Sequence, residues 1–170
     1  MGIQLVEENL NKVLKRVVEL GDTKKSMTAA DLPFIITDVL ETSETQRIEL
    51  LNCSISSGLN LNATATIHLK IDSMEYREAG SGNGGYDAFM SAVNKILKKL
   101  NIDLPELVDY QIRIPRGGKT NALTEAIITW QVNGKRIQTI GIDSDQVLAA
   151  VNATLKLLNL QLLQKDVQQQ

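Results

Sequence analysis

One eleven-residue phrase stands twice in this chain, AVNKILKKLNI at Ala92–Ile102 and AVNATLKLLNL at Ala150–Leu160, with seven positions identical and an offset of 58 residues. Each copy follows strand-like segments and a Gly- or Asp-rich turn, so the chain must build the same unit twice. A unit of that size has too small a core to stand alone, so the two copies are expected to pack together.

The periodicities fill in the unit. From Arg47 onward apolar residues alternate, which predicts strands over Ile48–Ser56, Ala63–Asp72 and Met74–Ala79. In the middle strand Ala63, Ala65, Ile67, Leu69 and Ile71 share one face, and Thr64, Thr66, His68 and Lys70 share the other. A glycine-rich turn, Gly80–Gly85, then enters a helix with Phe89, Val93, Leu97 and Leu100 on one stripe. The order recurs as Leu107–Pro115, Ala122–Val132, the hairpin signal Asn133-Gly134, Lys135–Ile142 and a helix striped by Val147, Val151, Leu155 and Leu158. The fold class expected is α+β, two βββα repeats forming an antiparallel sheet with the helices packed on one face. Ahead of it, Leu10, Val13, Leu14, Val17 and Leu20 predict a helix closed by Gly21, and Thr28-x-x-Asp31 predicts the cap of a second helix reaching Leu40. The division expected is a helical linker subdomain over 1–46, the duplicated domain over 47–163 and a flexible tail over 164–170.

Charge and composition narrow the function. With 18 Lys and Arg against 20 Asp and Glu, spread along the chain, no basic face for a nucleic acid is evident. No apolar run reaches the length of a membrane span, and one cysteine, Cys53, excludes an internal disulfide framework. A cytoplasmic setting is the expectation.

The motifs with chemical associations are weak on inspection. Gly80, Gly82 and Gly85 satisfy G-x-G-x-x-G, but the strand ahead of them belongs to an antiparallel meander, not to a parallel crossover. The turn Gly82, Asn83 and Gly84 still suits an anion, because glycine lets backbone amides converge at a helix start. Gly118-Lys119-Thr120 resembles the end of a phosphate-binding loop, yet Arg113 stands where its first glycine belongs and a strand follows. His68, the only histidine, faces the polar side of its strand, and no His/Cys cluster offers a metal site. Cys53 reads as a small buried residue rather than a nucleophile. Asp87 in the first turn of the first helix, and Asp145 at the matching place by the phrase offset, each gain about 0.3–1 kcal/mol from the helix dipole. A zwitterion suits such a place. Helix-start amides hold its carboxylate and Asp87 its ammonium, while Tyr86, Leu107, Tyr110 and Ile114 wall an aliphatic side chain.

The segments GSGNGGYDAFMSAVNKIL, LVDYQIRIP and GIDSDQVLAAVNATLKLLN together resemble the C-terminal regulatory, or dimerisation, domain of 2-isopropylmalate synthases and the related citramalate synthases. The resemblance covers about Arg47 to Leu160, and TAADLPFIITDVL resembles that family's linker subdomain. It implies a homodimer that binds an end-product amino acid and inhibits a catalytic (β/α)₈ barrel of the same parent chain. That barrel condenses acetyl-CoA with a 2-oxo acid using a divalent metal. No catalytic residue and no cofactor is implied for the stretch in hand; the parent would be an acyltransferase.

By position the resemblance implies effector contacts at Tyr86 and Asp87, at Leu107, Tyr110 and Ile114, at Ala122, and at Ser144 and Gln146. Two departures touch the pocket: Gly85 replaces the proline of the family's commoner Gly-Asn-Gly-Pro, and extra length falls around Lys119–Asn121. The effector expected is leucine, from an isopropylmalate synthase parent. Isoleucine in a citramalate synthase, or a dimerisation module with no effector at all, are the alternatives.

Overall fold

The computed structural model describes residues 7–23, 32–41, 46–114 and 122–168. The linker helices are α1 (Glu7–Thr23) and α2 (Leu32–Glu41). The first repeat follows as β1 (Ile48–Gly58), β2 (Leu61–Ile71), β3 (Met74–Gly82) and α3 (Gly85–Lys99). The second is β4 (Glu106–Arg113), β5 (Thr124–Val132), β6 (Lys135–Asp143) and α4 (Gln146–Gln168). The α+β class and the βββα repeat are as the sequence implied.

The strands form two three-stranded antiparallel sheets, β1-β2-β3 and β4-β5-β6, where a single sheet was expected. Each helix covers its own sheet. Ala63, Ala65, Ile67 and Leu69 of β2 meet Phe89, Val93 and Ile96 of α3 in one core, which Val151 and Leu158 of α4 join from the side. Ala126, Ile128 and Trp130 of β5 meet Ala149, Ala150, Ala153 and Leu157 in the other. The predicted face of β2 is therefore right, and its opposite face carries His68, whose Nε2 lies 2.8 Å from Glu75 on β3.

The register of the repeat is 61 residues, not the 58 of the repeated phrase. A Cβ on Gly80 would stand 2.3 Å from the Ala88 carbonyl oxygen and 2.5 Å from the Ala92 nitrogen; on Gly141 it would stand 2.1 Å from Ala149 O and 2.3 Å from Ala153 N. These are the same strand-on-helix contacts made 61 residues apart. The hairpin residues with positive φ, Asp72 (54°) and Asn133 (48°), keep that spacing. The buried face of α3, Ala88, Phe89, Ala92, Val93, Ile96 and Leu97, maps by it onto Ala149, Ala150, Ala153, Thr154, Leu157 and Leu158, all buried. The phrase match is one helical turn out of step. A shift of three residues leaves a helix face nearly in place, so the sequence stripe tolerates it, whereas a strand glycine seated under a helix does not. Asp145 accordingly corresponds to Gly84, and not to Asp87.

Several boundaries move. Helix α1 continues through Gly21 to Thr23, and Gly21 is absent from the positive-φ residues, so it is no helix cap. Leu10 and Leu14 of its expected stripe are 45% and 55% exposed, while Val13 and Leu20 pack with Ile35 of α2 against Leu123 and Ile142. Gly80 and Gly82 belong to β3 rather than to a turn. Helix α4 runs to Gln168, across the start of the tail placed at 164. Cys53 is half-buried, and burial pushes its thiol above the ordinary value. The Thr28 and Asp31 cap and the Gly118-Lys119-Thr120 loop lie outside the described residues.

Edge strand β4 is left open. A bulge between Leu107 and Asp109 sets Leu107, Tyr110 and Ile112 opposite Trp130, Ile128 and Ala126, on the face that points to the core. Yet they remain 39%, 38% and 36% exposed, with Ile114 at 60%, because α4 lies over β5 and β6.

Candidate ligand site at the start of helix α3

Two helix starts that look alike in sequence differ in their hydrogen bonding. At α4, Asp145 Oδ1 accepts the Val147 and Leu148 N–H groups at 2.7 and 3.0 Å, a regular side-chain cap. Asp143 Oδ1 in turn accepts the Asp145 N–H at 3.0 Å and the Ser144 hydroxyl at 3.4 Å. At α3 the capping position is Gly84, extended at φ −150° and ψ 170°, and no side chain caps the helix. The first helical backbone bond is Ala88 N–H to Gly84 O, 2.9 Å. The amides of Gly85, Tyr86 and Asp87 therefore open the helix with its positive dipole end and without a capping side chain.

The walls come from three other elements. A Cβ on Gly85 would lie 2.8 Å from Ile55 Cγ2 of β1 and 3.7 Å from Val147 of α4. Ile55 thus leaves no room for a side chain at Gly85. The Tyr86 ring stacks on Tyr110 of β4 at 5.3 Å and on Phe89 at 6.2 Å. Its hydroxyl lies 2.7 Å from Thr154 Oγ1. Because Thr154 donates to Ala150 O at 2.9 Å, the tyrosine is the donor of that pair. Burial pushes the Tyr86 phenol far above its ordinary value, with the Thr154 bond opposing. Tyr110 is also raised, by burial first and by the Asp145 charge second.

The sequence-derived residues divide into groups. Tyr86, Asp87 and Tyr110 gather at the α3 start with Gly82, the last residue of β3, and the turn Asn83 and Gly84. Asp87 is exposed, and its Oδ2 accepts the Asn83 N–H at 2.9 Å, which folds the carboxylate back onto the turn. Ser144 and Gln146 flank the capped start of α4. Ile114 and Ala122 stand at the same end of the second sheet, where Arg113 pairs with Glu125 and Thr124 with Asp143. Leu107 lies three residues, about 10 Å, along β4 from Tyr110 in the other direction. The sequence reading missed Ile55, and it placed Val147 and Thr154 only as helix residues. Strict alternation from Ile48 would turn Ile55 outward, and only the register shift between Leu50 and Asn52 brings it onto the inner face; nothing in the sequence announces that shift or that β1 lies beside α4.

Among the described residues no three His, Cys, Asp or Glu side chains are grouped to hold a metal, and no helix is long and apolar enough to cross a membrane. An uncapped helix start beside aromatic and branched residues, on a duplicated βββα frame, is the architecture of an allosteric domain. Residues 26–162 match the LeuA allosteric (dimerisation) domain, and the chain belongs to that family.

Relatives of two kinds align with nearly all of it. A citramalate synthase homologue of Archaeoglobus fulgidus is 31% identical over 94% of this chain and 32% of its own length. An (R)-citramalate synthase of Methanocaldococcus jannaschii is 30% identical over 94% of this chain and 32% of its own length. A 2-isopropylmalate synthase of Aquifex aeolicus is 29% identical over 98% of this chain and 31% of its own length. The chain spans about a third of the length of these curated relatives.

Proposed function

We propose that this domain senses a branched-chain amino acid, isoleucine first, and relays its presence to the catalytic barrel of a longer citramalate synthase-type parent. The observation that carries the reading is the uncapped start of α3 facing Ile55, Tyr110 and Val147. Its amides take the carboxylate, the apolar walls take the branched side chain, and Asp87 with Asp145 offers negative charge for the ammonium. Because the α4 start is already capped by Asp145, the carboxylate goes to α3. The citramalate synthases among the relatives favour isoleucine, and the isopropylmalate synthases keep leucine as the second reading. The two isomers differ only in branching, a difference worth roughly 1–3 kcal/mol in an apolar pocket.

The domain works as a homodimer in this reading, with the open apolar face of β4 covered by the partner. Acetyl-CoA, the divalent metal and the acyl transfer belong to the parent's barrel.

Titration calorimetry with isoleucine, leucine and valine tests the proposal; Tyr110→Ala and Asp87→Asn should both weaken binding, and Asp87→Asn, away from β4, should do so with the dimer intact. No heat with any of the three amino acids leaves a purely dimerising module. Stabilisation by NAD or ATP instead would point to a nucleotide site, and a monomer by light scattering at micromolar concentration would overturn the dimer.

A further inference from the structure

We infer that a polar stripe on α4, Asn152, Lys156 and Asn159, clamps the linker helices to the second repeat through the buried carboxylate of Asp38, and that α4 is the path by which the site at the start of α3 reaches the linker.

The three residues are spaced four and three apart and so share one face of the helix. Each binds a different piece of chain. Asn152 Nδ2 donates to Ile142 O at 3.0 Å, the carbonyl that also receives Arg16 Nη2 of α1 at 3.4 Å. Lys156 Nζ lies 2.9 Å from Asp38 Oδ1 of α2 and donates to the Asp38 carbonyl at 3.1 Å. Asn159 Oδ1 accepts the Arg47 and Ile48 N–H groups at 2.7 and 2.8 Å, where the chain passes from the linker into β1.

Asp38 is 4% exposed. Its two oxygens are divided, Oδ1 to Lys156 and Oδ2 to Arg16 Nε at 2.9 Å, so one carboxylate ties α1, α2 and α4 together. Without Lys156 the carboxylate keeps Arg16 but loses its tie to α4, and without the Asp38 charge two cations are left facing a neutral amide at a buried position, a larger penalty than the loss of a surface pair. The apolar part of the junction, Val13, Leu20 and Ile35 against Leu123 and Ile142, is a cluster separate from the cores beneath α3 and α4, and a cleft of about 810 Å³ between α1, β1 and α4 lies beside the Asp38 group. The junction can therefore open without unfolding either sheet.

The stripe is not a by-product of the repeat. By the 61-residue register its counterparts on α3 are Ser91, Lys95 and Lys98; Lys95 merely folds onto Ala79 O at 2.6 Å, and Lys98 is exposed. Only the second unit has a linker to hold. Val147 in the site wall and Lys156 in the clamp sit nine residues apart on one helix, about 14 Å. Thr154, which holds Tyr86, lies between them.

Hydrogen exchange read by mass spectrometry on the whole chain tests both parts. Lys156→Met and Asp38→Asn should speed exchange in α1 and α2 at least tenfold while β2 and α3 keep their protection, and Lys156→Arg should restore it. Exchange in α1 and α2 within twofold of the parent in both variants overturns the clamp. Acceleration spread equally through β2 and α3 overturns it as well, since the cluster would then be ordinary core.

The relay rests on the proposed sensing function. Isoleucine should slow exchange at the α3 start and in α1 and α2 of the parent, and Lys156→Met should keep the first effect and lose the second. Slowing of α1 and α2 that survives Lys156→Met refutes the path through α4. If no amino acid alters exchange anywhere, sensing and its relay both fail, while the clamp is still decided by the variants alone.

Discussion

Asn159→Ala should be among the most damaging single substitutions on α4, although it removes only an amide. The side chain satisfies the Arg47 and Ile48 N–H groups and, through Nδ2, the Ile48 carbonyl at 3.2 Å. Ile48 is 3% exposed, so its N–H and C=O would be stranded out of reach of water, whereas half-buried Arg47 would recover part of its loss. At roughly 1–3 kcal/mol for each stranded group, the expected loss is about 3 kcal/mol. For a chain of this size that corresponds to a fall in Tm of roughly 6–12 °C. Trp130, the only tryptophan, is fully buried with Nε1 donating to Thr139 at 2.9 Å, so its fluorescence reports urea unfolding directly. The control is Asn101, which matches Asn159 in the repeated phrase but sits past the end of α3 at φ 52°. Asn101→Gly should cost less than Asn159→Ala, since glycine adopts that positive-φ conformation freely. A loss under about 1 kcal/mol for Asn159→Ala would show that those backbone groups find other partners and are not stranded.

Gly141→Ala and Gly80→Ala should each cost about 3 kcal/mol or more by denaturant unfolding, because the added methyl meets helix backbone rather than a movable side chain. Tyr86→Phe should cost about 1 kcal/mol at neutral pH by losing the Thr154 bond. The same variant should flatten the alkaline limb of stability: the unfolded tyrosine releases its proton near pH 10 while the buried one keeps it, so stability falls as pH rises above 10. Asp72, gripped by Arg47 Nε at 2.7 Å and Nη2 at 2.8 Å, is held below the ordinary carboxylate value. Its stabilising effect is present above about pH 4 and is lost as pH falls further. Asp72→Asn should accordingly remove part of the acid slope in a pH series of melts.

The βββα order and the predicted face of β2 were legible because period two and period 3.6 are written in local apolar spacing. The register of the repeat was not, since a helix reads almost the same after a three-residue shift and only Gly80 and Gly141, pinned beneath α3 and α4, fix it. Tyr86, Tyr110 and Asp87 were reachable through the family resemblance, and the structure gathers them at one helix start. Ile55 and Thr154 were not, because they arrive from β1 and α4, and spacing along a chain says nothing about which distant elements converge. The Asp38 cluster was hidden for the same reason: Arg16, Asp38 and Lys156 look like ordinary surface charges until three helices meet around them.

The bare glycine ahead of α3 makes stability and responsiveness exchangeable at one position. Gly84 has an extended backbone and open space where a Cβ would go, so Gly84→Asp should fit and supply internally what Asp145 gives to α4. Because glycine is itself a tolerable cap, that variant should gain only a few tenths of a kcal/mol (~0.3), and on the proposed sensing function it should lose the further thermal shift that an incoming carboxylate would produce in the unmutated chain. On the proposed sensing function, a domain improved in this way would be sturdier and deaf, which would give a duplicated protein a physical reason to leave one of its two helices unfinished.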